Sequence, residues 1–260
     1  MAAWRCRHRM SSQHQTEPEQ QESQDIGRPR VPIPLYTYIL VGSIVTVFVV
    51  QCLTSNALSS AIVGDERSAR LAGFDKQAFL RSHEYWRILT GACIHGGILH
   101  IMFNSFAFYN LGRVFEILSN RAHLAIVFLI SAVGGNLLSL IFVPNRPSIG
   151  ASGGIVGLLG YLAIYGFRRR QFISSAFRRD MVINIGFMLV FGLALAEVVD
   201  NFGHIGGLIA GAVYGFVQIP ADVHIDPRAA SSKVELAGLS ALGIYLAACA
   251  LSILLILQIV

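Results

Sequence analysis

Seven apolar runs divide the chain, and no other feature restricts its fold as much. They cover about 35–53, 98–117, 123–143, 152–167, 182–197, 203–219 and 236–259. A helix needs roughly 20 apolar residues to cross a bilayer, where its backbone must satisfy its own hydrogen bonds. The pattern therefore predicts an all-α polytopic membrane protein, built as one bundle. The composition agrees: 54% of residues are hydrophobic, 13% are charged, and the mean hydropathy is +0.58. The fourth, fifth and sixth runs are short and rich in glycine, which suits helices surrounded by protein more than by lipid.

The segments between the runs set the orientation. Residues 1–34 are rich in Gln, Ser, Glu and Arg and read as a disordered cytoplasmic tail. No small-residue cleavage site follows the first run, so it reads as a retained span and not as a removed signal peptide. The loop 54–97 is long enough to carry structure of its own. With the N-terminus inside, fourteen Lys and Arg residues fall inside against six outside. The positive-inside rule then puts the N-terminus in the cytoplasm and the C-terminus outside, in a plasma or inner membrane. No mitochondrial presequence is recognisable, which argues against that organelle. The cluster Arg168–Arg170 with Arg178 and Arg179 reads as a topology anchor and nothing more. Cys6, Cys52, Cys93 and Cys249 are scattered, without C-x-x-C spacing, and suggest no disulfide framework.

Polar side chains within the runs are expensive and therefore informative. His95, His100 and Asn104 open the second run, Ser152 the fourth and His204 the sixth. Even-numbered spans enter from the same side, so these residues share one depth, just below the outer surface. Each has a bland reading. His100 and Asn104, four apart on one helix face, could bond between helices. Ser152 could be a packing residue or an N-cap, and His204 could donate to a carbonyl. There is no H-E-x-x-H and no carboxylate at ligand spacing, so neither a metal nor another cofactor is expected.

The stretch Ile149 to Gly160, IGASGGIVGLLG, wraps one serine in glycines. Gly153, Gly157 and Gly160 form a stripe beside Ser152; Gly207, Gly211 and Gly215 form another beginning three residues after His204. Such stripes let two helix backbones approach closely. Contact of these spans at their outer ends would bring Ser152 and His204 within hydrogen-bonding reach, a nucleophile beside a base.

These residues resemble the rhomboid family of intramembrane serine proteases. The matches are His95 to Asn104 (HGGILHIMFN), Gly150-Ala-Ser152-Gly153, and Gly203-His204-Ile-Gly-Gly207 with its stripe. Trp86-Arg87 in the first loop and Gly112, Arg113 and Glu116 add to them. The resemblance covers about residues 35–220 and implies a rhomboid-like six-helix core. Residues 221–260 then form a linker and one extra C-terminal transmembrane helix. The resemblance implies a Ser–His dyad, with Ser152 as nucleophile and His204 as base. It implies an oxyanion hole from the Ser152 N–H and the side chains of His100 and Asn104, with His95 auxiliary in the same cavity. Asp200, four residues before His204, is left out, since the family uses no triad acid. One position departs: many members carry an aromatic four residues after the serine, and here that residue is Val156.

The implied partners are transmembrane protein substrates and membrane lipid, with no nucleic acid. The main rival is a catalytically inactive rhomboid-like protein that binds or chaperones client transmembrane segments. Such proteins usually lose the serine or the histidine, and both are present here. A proton-conducting transporter is a second rival, but no inverted repeat and no mid-span acid supports it.

Overall fold

The computed structural model describes residues 33–55, 62 and 64–260, so the expected tail lies almost wholly outside the described residues. All regular structure there is helical. α1 spans Leu35–Thr54; three short helices follow, α2 Glu66–Ala72, α3 Lys76–Arg81 and α4 Arg87–Thr90. Six long ones complete the bundle: α5 Ile98–Leu118, α6 Arg121–Phe142, α7 Ser152–Arg168, α8 Ser175–Ala194, α9 Asn201–Gln218 and α10 Ser232–Ile256. The seven long helices correspond to the seven apolar runs. By length and composition alone, α1, α6 and α10 are apolar enough to cross a membrane. Of the other four, α7 is only 17 residues long, α8 carries three charges in its first two turns, and α5 and α9 hold polar groups that lower their hydropathy.

Helix starts follow local chemistry. Asp65, Asp75, Asn120, Ser174, Asp200 and Ser231 each accept a first-turn N–H through the side chain, satisfying donors that have no partner within the helix. The cap at Ser174 starts α8 seven residues before the apolar run at 182, taking Arg178, Arg179 and Asp180 into the helix. Their charges hide this turn from hydropathy.

The core forms where α1, α5, α6, α7 and α10 meet. Phe108 stacks on Phe128 at 4.6 Å between centroids, Phe115 stacks on Tyr161 at 4.2 Å, and Phe128 meets Tyr245 edge-on at 4.8 Å. At one end of the bundle, Glu116 accepts from both the N–H and the hydroxyl of Thr37 at 2.7 Å, while Gly112 leaves room for the Thr37 side chain. These contacts give Gly112 and Glu116 a role in joining α5 to α1.

Two expectations need correction. The fifth run was expected to be enclosed by protein, yet α8 buries only Met181 and Gly192 and exposes Phe187, Val190 and Leu193. The arginine cluster is also more than a topology anchor. Arg168 donates to the Phe216 carbonyl, the buried Arg169 to that of Ile225, and Arg178 to those of Arg170 and Ile173. These cations bind one carbonyl near the end of α9 and three in the loops after α7 and α9, and so tie that end of the bundle together. The cysteines, unpaired in sequence, meet in one case: the buried Sγ atoms of Cys93 and Cys249 lie 3.4 Å apart as free thiols.

The loop between α1 and α5 is ordered around Arg87. Its guanidinium bonds Glu84 at 2.6 Å and the carbonyls of Arg70 and Gly73 at 3.1 and 2.9 Å. The folded loop holds the approach to α7 through a two-way backbone pairing of Phe74 with Ser148, and a bond from the Gly150 N–H to the Gly91 carbonyl.

Candidate active site

The turn into α7 requires a glycine. Gly150 has φ +115°, and a Cβ there would lie 2.7 Å from the His100 ring. Ser152 follows as the first residue of α7, with Ala151 as a cap that makes no side-chain bond. The Ser152 N–H is thus one of the first-turn donors with no acceptor within the helix, and its hydroxyl stands at the positive end of the helix dipole.

His204 is set by α9, its N–H donating to the Asp200 carbonyl at 3.0 Å. α9 lies backbone to backbone on α7. A side chain on Gly207 would strike the Gly153 carbonyl, one on Gly211 the Gly157 carbonyl, and one on Gly160 the Leu208 carbonyl. Sequence reasoning missed a third party. Gly134 and Gly135 of α6 also meet α9, since a Cβ on Gly135 would strike the Gly203 carbonyl and one on Gly206 the Gly134 carbonyl. α9 is therefore wedged between two helices through close backbone contacts.

A cavity opens where these helix ends meet, lined among others by Ser148, Gly150, Ser152, Asp200, Gly203 and His204. Ser152 and His204 face the same space without hydrogen-bonding each other. The His204 Nδ1 is buried and has no partner. Val156 is buried, and among the described residues no aromatic ring stacks on His204. The histidine is positioned by its helix.

His100 lies behind Gly150, outside the residues that line the cavity, with Asn104 and His95 beside it. Gly96 N–H donates to His100 Nδ1 at 3.2 Å. A neutral His100 then carries its proton on Nε2, which lies beside Gly150, two residues from Ser152. Asn104 Nδ2 gives one hydrogen to the His100 carbonyl at 2.9 Å and keeps a second. His95 is buried, with its ring edge-on to His100 at 5.1 Å. Its backbone is pinned by Gln51 of α1, whose amide gives and receives one bond with it, both at 3.1 Å. Gln51 escaped the sequence reading because a glutamine in a span carries no motif.

Asp200 has work of its own. One carboxylate oxygen accepts from the Ser139 and Ser148 hydroxyls at 2.6 and 2.5 Å; the other caps α9 through the Gly203 N–H at 2.9 Å. The buried Lys76 donates to Ser139 at 2.7 Å and to the Val143 carbonyl at 2.8 Å. Burial pushes the Asp200 carboxyl up, but these hydrogen bonds and the Lys76 charge outweigh it and hold the group below its ordinary value. Burial lowers the Lys76 ammonium, with the Asp200 charge working against it and Arg146 adding to it. No cluster of metal ligands occurs among the described residues.

A polytopic all-helical bundle with a serine and a histidine at one cavity defines a narrow class, and sequence comparison agrees. The family model for the Rhomboid domain matches residues 82–221, more than half of the chain; the chain belongs to the rhomboid family. It is therefore a multi-pass integral membrane protein. It is 30% identical over 179 residues to "Rhomboid protease GluP" of Bacillus subtilis (strain 168), covering 68% of this chain and 34% of that protein. It is 32% identical over 154 residues to "RHOMBOID-like protein 4" of Arabidopsis thaliana, covering 57% and 38%. It is 30% identical over 137 residues to "Inactive rhomboid protein 1" of Rattus norvegicus, covering 53% and 16%. The chain spans half or less of the length of these curated relatives, and their names cover both a protease and an inactive protein.

Proposed function

We propose that the chain is an intramembrane serine endopeptidase that cleaves single-span transmembrane proteins near the outer membrane face. One observation carries this reading: Ser152 and His204, far apart in sequence, line one cavity at the ends of two helices held backbone to backbone. Ser152 Oγ attacks the scissile carbonyl, and His204 takes its proton and later passes it to the leaving amine. The developing oxyanion receives the Ser152 N–H, the His100 Nε2–H and the free hydrogen of Asn104, with His95 as an auxiliary packing partner of His100. The missing Ser152–His204 bond is compatible with this role, because such bonds often tighten only when substrate is bound.

The substrate class follows from the solvent. A peptide bond within a transmembrane helix is hidden by its own hydrogen bonds and side chains, and unwinding it in lipid is costly. Unwinding becomes tolerable in a polar protein cavity. Preferred substrates therefore carry Gly, Pro or polar residues that weaken the helix, with the cut after a small residue. The cytoplasmic N-terminus inferred from the arginine distribution puts the cavity at the outer face.

Labelling of the purified protein by an activity-directed fluorophosphonate, with Ser152→Ala as control, tests the reading. Labelling that disappears in the control supports the protease. A folded protein that neither labels nor cleaves a single-span reporter is instead the inactive, client-binding relative.

A further inference from the structure

Asp200 and Ser148 stand in matching places. Ser148 lies four residues before Ser152, Asp200 lies four residues before His204, and their side chains meet at 2.5 Å. The same carboxylate oxygen takes the Ser139 hydroxyl from the end of α6, and Ser139 takes Lys76 from α3. Residue 76, the stretch 139–148 and the start of α9 are thus tied together through one half-buried carboxylate beside the cavity. Arg146 adds a second tie, donating to the carbonyls of Ala196 and Glu197 at 3.0 and 2.7 Å just ahead of Asp200. Among the described residues the His204 Nδ1 has no hydrogen-bond partner and no aromatic ring stacks on the imidazole.

We propose that the Lys76–Ser139–Asp200–Ser148 network is a positioning device that fixes the separation of Ser152 from His204. Asp200 is its centre. A carboxylate is suited to the place because it accepts three donors at once, and charge-assisted bonds are short and strong. The buried lysine supplies the opposite charge that such a site needs, relayed through a hydroxyl. A simple cap would need neither Ser139 nor Lys76. The consequence for turnover rests on the protease reading; the geometric role does not.

The test uses the full chain in detergent. Asp200→Asn preserves a good N-cap but replaces the anionic acceptor that gathers the two hydroxyls. The turnover number on a single-span reporter is expected to fall about ten- to a hundredfold, since small misplacements of reacting groups cost that much. KM and the unfolding midpoint change little. Ser148→Ala has a similar effect, Ser148→Thr restores most of the rate, and the double variant Asp200→Asn/Ser148→Ala is no worse than either single one. A second measurement needs no activity. With Cys6, Cys52, Cys93 and Cys249 replaced by Ala, Ser152→Cys and His204→Cys are crosslinked with a short bifunctional thiol reagent. Adding Asp200→Asn should slow crosslinking severalfold.

If the starting chain neither labels nor cleaves, the protease reading fails and crosslinking alone decides the positioning role. Unchanged crosslinking in Asp200→Asn overturns the proposal whatever the activity. So does slowed crosslinking with unchanged turnover in an active protein. A loss of rate that merely tracks the unfolded fraction also overturns it.

Discussion

α7 and α8 follow each other in sequence and are both apolar helices containing glycine, yet they live in different surroundings. α7 buries eleven of its 17 residues; α8 buries two of its 20. The difference lies in where the small residues fall. Gly153, Gly157 and Gly160 repeat at helical spacing and let α7 meet α9 at the backbone, whereas Gly186 and Gly192 of α8 form no stripe. Lipid is as apolar as leucine, so hydropathy cannot tell the two environments apart. Spacing of small residues can. A helix that meets its neighbours through backbone has little freedom to shift, and α7 and α9 are the helices that carry the candidate dyad.

The largest effect expected from this contrast is at the tips of the close-packed pair. Ser152→Ala and His204→Ala should each cost on the order of 10⁶ in turnover, since a nucleophile and its base act as one unit. Membrane insertion should be intact. Substantial cleavage of a single-span reporter by purified Ser152→Ala protein would remove the nucleophile from Ser152 and the contrast from function.

Next comes the contact itself. Gly211→Val places branched carbon on the Gly157 carbonyl, where the nearest atoms are all backbone and cannot turn aside. Overpacking of this kind typically costs about 1–3 kcal/mol, occasionally more, so both the unfolding midpoint and the labelling of Ser152 should drop. If Gly211→Val keeps its midpoint, α7 and α9 are not as close as described.

The α7–α9 half of this contrast was legible in the sequence, and the exposure of α8 was not. Two glycine stripes predicted the meeting of α7 with α9, and hydropathy located all seven long helices. The failures share a physical cause: patterns along one segment cannot report a partner that lies elsewhere in the chain. Gly134 and Gly135 look like any glycines in a span until α9 lies on them. Lys76 sits in a loop and Ser139 and Ser148 are commonplace serines, yet all three converge on Asp200. Asp200 itself was readable as an N-cap three residues before Gly203, had the cap pattern been weighed instead of the triad alone. The enclosure of α8 was misjudged because glycine content was counted without its spacing.

A smaller effect separates transition-state contacts from packing. Asn104 is buried on α5 and gives one hydrogen to the His100 carbonyl. Asn104→Ala should lower the turnover number by about 10²–10³, the usual worth of an oxyanion donor, while KM moves little. A loss confined to KM would make Asn104 a docking or packing residue.

The smallest effect is also the most direct comparison, because one substitution is made in both environments. A methyl group on Gly211 strikes the Gly157 carbonyl, whereas one on Gly186 of α8 meets nothing within 4 Å. Alanine is favoured over glycine in a helix interior by about 0.5–1 kcal/mol, largely through the freedom that glycine has in the unfolded chain. Gly186→Ala should therefore stabilise the protein by up to that amount, whereas Gly211→Ala should destabilise it. Unfolding in one detergent, followed for both variants, reads the two signs side by side. Two shifts of the same sign would mean that helix propensity, and not backbone contact, governs both sites, and the distinction between α8 and the α7–α9 pair would lose its physical basis.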